Sequence, residues 1–228
     1  MIENSDFETF LNISKNKYQI FVYDRTNLKN LYHEEIESDD EIELNILSKF
    51  IDDNIYKIEK MIKNFIRNII LIIQDDKVLD IGISLKKKNY EKNIDQKQLE
   101  NSLVEIKDIF NENYQDLIIM HMIIVEKENT FLLNNTNNKD DYLFLEVNFI
   151  SIDSNFTFYF DKLLESHQIK ISRYMSFKYI KSYISEDFTE LSKMANKLNN
   201  GLNKNEVQLV SKNVENKGFF EKFFQLFS

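Results

Sequence analysis

Ile58-Glu59-Lys60-Met61-Ile62-Lys63-Asn64-Phe65-Ile66-Arg67-Asn68-Ile69-Ile70-Leu71-Ile72-Ile73 decides how this chain folds. Its first half ends a pattern in which Leu47, Phe50, Ile51, Ile55, Ile58, Ile62 and Phe65 recur at three and four, which predicts a helix from Leu44 to Phe65. Its second half, Ile69 to Ile73, is a near-continuous apolar run, the mark of a strand covered on both faces. A long helix leading straight into a buried strand calls for a layered arrangement of helices on a sheet.

Working outward, Tyr18 to Tyr23 reads as a strand of β-branched and aromatic residues, and Leu28 to Tyr32 as a second, short one after the turn Asp24-Arg25-Thr26-Asn27. Residues before Lys17 read as a short polar lead, helical if anything, and the acidic stretch Glu34 to Glu43 as a solvated loop. Downstream, Asp75-Asp76 suggests a hairpin turn and Val78 to Lys86 a strand ending in a lysine cluster. Gln98 to Tyr114 suggests a helix with Asp95 as its N-cap. Strands follow at Leu117 to Val125, weakly at Thr130 to Leu133, and at Tyr142 to Ile150. Then come a helix from Asn155 to Ser166, a strand from Ile169 to Tyr174, the segment Tyr179 to Ile184, a helix from Asp187 to Asn199, a turn at Gly201 and a short strand Glu206 to Val210. The order mixes helices with antiparallel-looking strands, so the predicted class is α+β, or mixed α/β.

Composition narrows the function. The 228 residues, 43% hydrophobic and 29% charged, suit one large or two small domains. A net charge of −9 argues against a general nucleic-acid binder. The absence of cysteine excludes disulfides, thiolate metal sites and thiol nucleophiles, and is compatible with an intracellular location. No N-terminal signal and no apolar run of transmembrane length is visible. With Gly82, Gly201 and Gly218 as the only glycines, neither a Walker loop nor a dinucleotide fingerprint can be written. His33, His121 and His167 lie on separate segments without metal-ligand spacing, and His121 reads as a packed or edge residue of a strand. No catalytic residue, metal set or cofactor is expected.

Two surface features remain. Phe219, Phe220, Phe223, Phe224 and Phe227 follow a helical spacing that gathers one aromatic face, too short to span a bilayer but suited to lie in its interface. The alternative is a terminal helix docked on its own domain. Lys86, Lys87, Lys88 and Tyr90, at a strand end, read either as a partner-binding patch or as a solvated end.

From about Ile55 to Tyr183 the order of segments resembles the bacterial actin-like cell-division protein FtsA, chiefly its inserted 1C subdomain of the SHS2 fold. The resemblance lies in Ile58 to Ile73, Asp80-Ile81-Gly82-Ile83-Ser84, Asp95 to Asn101, Ile118 to Glu126 around His121, Leu143 to Ser151, and Asp161 to Arg173, with the terminal amphipathic segment after them. It implies a partial actin-like subdomain over residues 1–78, an SHS2-like subdomain of β-α-β-β-β-α type over 79–173, a return to the actin-like part over 174–211, and a linker and tail helix over 212–228. Where the family carries a glycine-rich phosphate loop, the turn Asp24-Arg25-Thr26-Asn27 stands instead, and the second half of the actin-like core has no room. The resemblance therefore implies a reduced, non-enzymatic adaptor on the inner face of the cytoplasmic membrane. Its partners would be division proteins such as FtsZ or FtsN, with self-association left open. A diverged actin-like ATPase and a pilus-assembly adaptor of the same superfamily are the alternatives.

Overall fold

The structure, a computed structural model, describes residues 6–38, 42–88, 96–125, 142–184 and 191–208. The apolar run became β4 (Asn68–Gln74), with Ile69 to Ile73 all buried. It runs parallel to β1 (Phe7–Ser14) on one side and to β8 (Lys170–Ser176) on the other. β1 turns back into β2 (Lys17–Asp24), and β2 into β3 (Lys29–Glu37), both antiparallel, giving a mixed five-stranded sheet of order β3-β2-β1-β4-β8. The helix α1 (Leu44–Ile62) carries the chain from β3 to β4, burying Leu47, Phe50, Ile51 and Ile58. It stops three residues short of the predicted Phe65 because Lys63 turns left-handed at φ 54° and its N–H bonds the Glu59 carbonyl. Phe65, placed by spacing on the apolar stripe, stands 75% exposed.

Two expectations near the N-terminus are overturned. The supposed polar lead is β1, which buries Thr9, Asn12 and Ser14 beside Phe10, Leu11 and Ile13. With both faces covered, its polar residues sit where periodicity expects apolar ones, and the strand hides. The supposed acidic loop is β3 as far as Glu37. It is an edge strand whose side chains stay exposed apart from the half-buried Leu31 and Tyr32, held by its ladder to β2 and by Glu35, which accepts from Gln19 Nε2 (2.7 Å) and Lys17 Nζ (3.3 Å).

A second sheet follows: β5 (Leu79–Lys88), β7 (Tyr142–Asp153) and β6 (Leu117–Ile124), antiparallel in the order β5-β7-β6. Asp75 therefore turns the chain from one sheet to the other, its carboxylate accepting from the Lys77 N–H, rather than closing a hairpin. The helix α2 (Gln96–Asn113) covers one face through Leu103, Ile106 and Phe110, which meet Met122, Leu145, Val147 and Phe149 in a core of their own. From the opposite face Met120, Ile150 and Ile152 join the larger core. Asp153 caps α3 (Ser154–Glu165) by accepting from the Phe156 N–H, and α3 leads into β8. The short α4 (Phe177–Lys181) and α5 (Leu191–Asn199) complete the body. Gly201, at φ 85°, ends α5 where the turn was predicted. Of the last predicted strand, the described residues show one bridge, Ile123 to Glu206, on the outer edge of β6, and Leu209 and Val210 lie outside them. The class is mixed α/β, as the sequence predicts. Asp95, the weak strand at Thr130 to Leu133, Tyr90 and the phenylalanine tail lie outside the described residues.

Candidate functional site

The densest polar cluster is buried where the two sheets meet. A register shift in β6 between Ile119 and His121 turns the imidazole toward the larger sheet. His121 is 1% exposed. Its Nε2 accepts from the backbone N–H of Ser176 at 2.9 Å, so the ring proton sits on Nδ1, which donates to Glu206 Oε1 at 2.7 Å. Glu206 Oε1 also accepts from Arg173 of β8, and Oε2 from the Tyr179 hydroxyl at 3.0 Å. Asn203 donates to the same hydroxyl, and the Tyr179 ring lies against the imidazole, centroids 4.2 Å apart. Arg173 Nη1 donates to Asn199, whose amide holds Glu8 together with that of Asn196. One polar chain thus runs from β1 through α5 and β8 to β6 and the segment around Glu206.

The electrostatics follow from burial. Desolvation pulls the His121 pKa below its ordinary value, the charge on Arg173 adds to this, and Glu206 opposes it without winning. Burial alone would raise Glu206, but the bond from His121 and the charge of Arg173 hold it below the ordinary carboxylate value. Burial pushes the Tyr179 phenol well up. The result is a neutral histidine beside an ionised carboxylate. Both imidazole nitrogens are engaged and the group is sealed, so the arrangement fastens elements together and leaves no lone pair free to take a proton from a substrate.

A second feature is a cleft of about 830 Å³ at the carboxyl ends of β1, β4 and β8, lined by Ser14, Lys15, Asn16, Asp76 and Lys178 among others. Open α/β sheets bind ligands at this position. The alternative of a diverged actin-like ATPase would need a nucleotide here, and the residues lining the cleft do not fit one. The β1–β2 hairpin is Lys15-Asn16, without glycine, and neither residue has positive φ, so no nest of N–H groups faces the cleft. The Lys15 ammonium is tied to Asp76 at 2.6 Å. Asp24-Arg25-Thr26-Asn27, which stands where the resemblance places the phosphate loop, is the β2–β3 turn that the sequence predicts and does not line this cleft. There Asp24 accepts from the N–H groups of Thr26 and Asn27 and from the Asn27 amide, and this last bond above all lowers its pKa.

The other candidates disperse. Lys86, Lys87 and Lys88 end β5, Lys87 pairing with Glu105 of α2. His33 stacks on Phe21 and His167 lies 3.3 Å from Asp52. Among the described residues no cluster of three or more histidines or carboxylates could hold a metal ion, and no helix is long and apolar enough to cross a membrane. Arg173, Tyr179 and Glu206 were missed as a group. One signal was available: the chain's 29 basic residues include only three arginines, and arginine rather than lysine suits a buried multi-bonded ion pair.

No protein-family model and no curated protein matches the chain. Solved structures do. One is a PilM–PilN type IV pilus biogenesis complex, 8% identical with a TM-score of 0.46, over 77% of this chain and 49% of that one. Another is a Bacteroides thetaiotaomicron protein of actin-like ATPase fold and unknown function, 14% identical at 0.34, over 80% and 58%. A third is the cytoplasmic domain of EpsL, an inner-membrane component of the type II secretion system of Vibrio cholerae, 9% identical at 0.36, over 75% and 55%. The chain spans between about half and three fifths of the length of these structures.

Proposed function

We propose that this chain is a non-enzymatic adaptor, a reduced actin-like body that joins protein partners in a membrane-associated assembly. The observation that carries the reading is the Lys15-Asn16 hairpin. Where an actin-like ATPase would cradle phosphates, the turn is tight and glycine-free, and its lysine is bound to Asp76. The buried junction around His121 supports the same reading, because every polar atom named in it is spent on holding the body together.

Two settings take such an adaptor. The sequence resemblance to FtsA points to cell division. A type IV pilus complex and a type II secretion component are the settings of two similar solved structures. The division reading asks for more, namely FtsZ or FtsN as partners and membrane attachment through Phe219 to Phe227. The pilus- or secretion-assembly reading needs only the body, and we put it first. Peripheral attachment to the inner face of the cytoplasmic membrane, through the phenylalanine tail, belongs to either.

Titration of the full chain with ATP and Mg²⁺ in a calorimeter is expected to give no saturable heat. Stoichiometric binding would overturn the non-enzymatic reading. Co-purification from the native cell is expected to recover inner-membrane pilus or secretion components, whereas recovery of FtsZ or FtsN would move the adaptor to division. Flotation with anionic liposomes is expected to fail once residues 218–228 are deleted, and flotation unchanged by the deletion would remove the anchor.

A further inference from the structure

Four strands form the sheet edges in the described residues, and three of them are interrupted. The pairing of β3 shifts register at Val22/Tyr23, that of β8 at Ile69/Ile70, and that of β6 at Ile119/His121. β3 also carries exposed Glu34, Glu35 and Glu37, and the outer edge of β6 is met by the segment of Glu206 through bonds from Ile124 N–H to Asn205 and from Val207 N–H to Met122. Bulges, charges and covering segments are the usual ways in which a sheet edge is kept from pairing with another chain. β5 is different. It is ten residues long, pairs with β7 in unbroken register from Leu79 to Lys88, and has no described strand on its outer side.

We infer that β5 pairs antiparallel with β5 of a second copy of this chain, about a two-fold axis at Ile83. The sequence of the strand is complementary to itself in that register. On its exposed face Asp80 comes opposite Lys86 of the second copy, and Gly82 opposite Ser84, twice by symmetry. On the other face Ile83 meets Ile83, and Ile81 meets Leu85. These three are half-buried and already pack on the core beneath α2, so pairing joins two small cores along one six-stranded sheet. Oppositely charged and branched apolar pairs across adjacent strands both stabilise a ladder. In this register Lys87 meets Leu79 at each end of the core face, outside three apolar pairs, whereas a slip to an axis at Ser84 leaves two apolar pairs and moves Lys87 inward to Ile81.

A side chain added at Gly82 meets no atom within 4 Å, so among the described residues the exposed face over the middle of the strand is open and leaves room for the cross-strand pairs on that face. Asp80 is now 3.3 Å from Lys178, but both are well exposed and such a pair is easily exchanged. This surface gives a use to the lysine cluster ending β5, and it does not depend on the adaptor reading.

Sedimentation of the full chain over a wide concentration range tests the inference. Wild type is expected to form a concentration-dependent dimer. Asp80→Lys and Lys86→Asp each bring like charges together twice and are expected to weaken it by about tenfold or more. An equimolar mixture of the two variants restores opposite pairs and is expected to return a heterodimer. Both positions are exposed, and unchanged circular dichroism of each variant confirms that its fold is kept. Because the chain has no cysteine, a spin label at Ser84→Cys reports the site directly, with strong dipolar broadening expected in the dimer. Wild type that stays monomeric, single reversals without effect, or a mixture that fails to restore association would each overturn the inference. A strand of another protein would be the remaining occupant if the edge bound only a foreign partner.

Discussion

His121 Nδ1 and Glu206 Oε1 stand 2.7 Å apart across 85 positions of sequence, and this contact ties the segment around Glu206 to the smaller sheet. Arg173 brings the larger sheet to the same carboxylate, so three parts of the chain share one buried charge. Removing one partner of such a group strands the others in a medium that cannot solvate them.

The first prediction concerns pH. The folded pKa of His121 lies below its ordinary 6.5, so the unfolded chain binds more protons than the folded one as pH falls past that value. Stability is therefore full above about 6.5 and declines on acidification until the folded pKa is passed. Protonating Nε2 would also set it against the Ser176 N–H that it now accepts from. Glu206, lowered from 4.5, extends the decline below that value. Urea unfolding midpoints should fall from pH 7.5 to 5.5, and His121→Gln should flatten this first part of the profile while lowering stability throughout. A midpoint independent of pH in wild type would contradict the neutral tautomer.

The second prediction isolates the carboxylate. Glu206→Ala leaves the half-buried Arg173 without its counter-charge and should cost about 3 kcal/mol, read by denaturant unfolding. Adding Arg173→Met should recover part of that loss, because the stranded charge is then gone. The coupling from the double-mutant cycle should be on the order of 1–3 kcal/mol. Strict additivity would show that the two residues do not interact.

What could be read from the sequence divides along physical lines. α1, β4, α2 and α3 announce themselves because each buries one regular stripe or a continuous run, and local spacing records that. β1 does not, because Thr9, Asn12 and Ser14 are buried by neighbours on both sides of the sheet, and only the assembled sheet explains them. Glu206 was visible as part of a short strand, and His121 as a residue inside one. Their meeting was not visible, since it depends on β6 turning at its register shift and on a segment returning from far along the chain. For the same reason the sequence makes β2 the first strand and sets the turn after it where the resemblance expects a phosphate loop, whereas β1 comes before it.

The third prediction contrasts two buried positions with one exposed position of the apolar pattern. Leu71 is fully buried in the larger core, and Phe149 is fully buried under α2, where it stacks on Phe110 with centroids 4.5 Å apart. Leu71→Ala should cost about 2–5 kcal/mol and Phe149→Ala about 3–5 kcal/mol, through lost transfer energy and the cavity left behind. Phe65→Ala, at a position 75% exposed, should change stability by less than about 0.5 kcal/mol. Thermal unfolding of the three variants checks the ranking, and a large loss at Phe65 would mean that this ring is covered in solution.

The last prediction uses two glycines with opposite roles. Gly201 sits at φ 85°, where an added methyl group is strained although no atom lies within 4 Å of it, so Gly201→Ala should destabilise by about 1 kcal/mol. Gly82 lies inside β5 with ordinary strand geometry and open space above it. A glycine there costs more backbone entropy on folding than alanine does, so Gly82→Ala should stabilise the protein by about 0.5 kcal/mol. Denaturant midpoints moving in opposite directions for the two variants is the expected result. A loss at Gly82 would show that a group covers that face of β5 in solution, since a methyl group there stands off the sheet face and leaves pairing along the strand edge untouched.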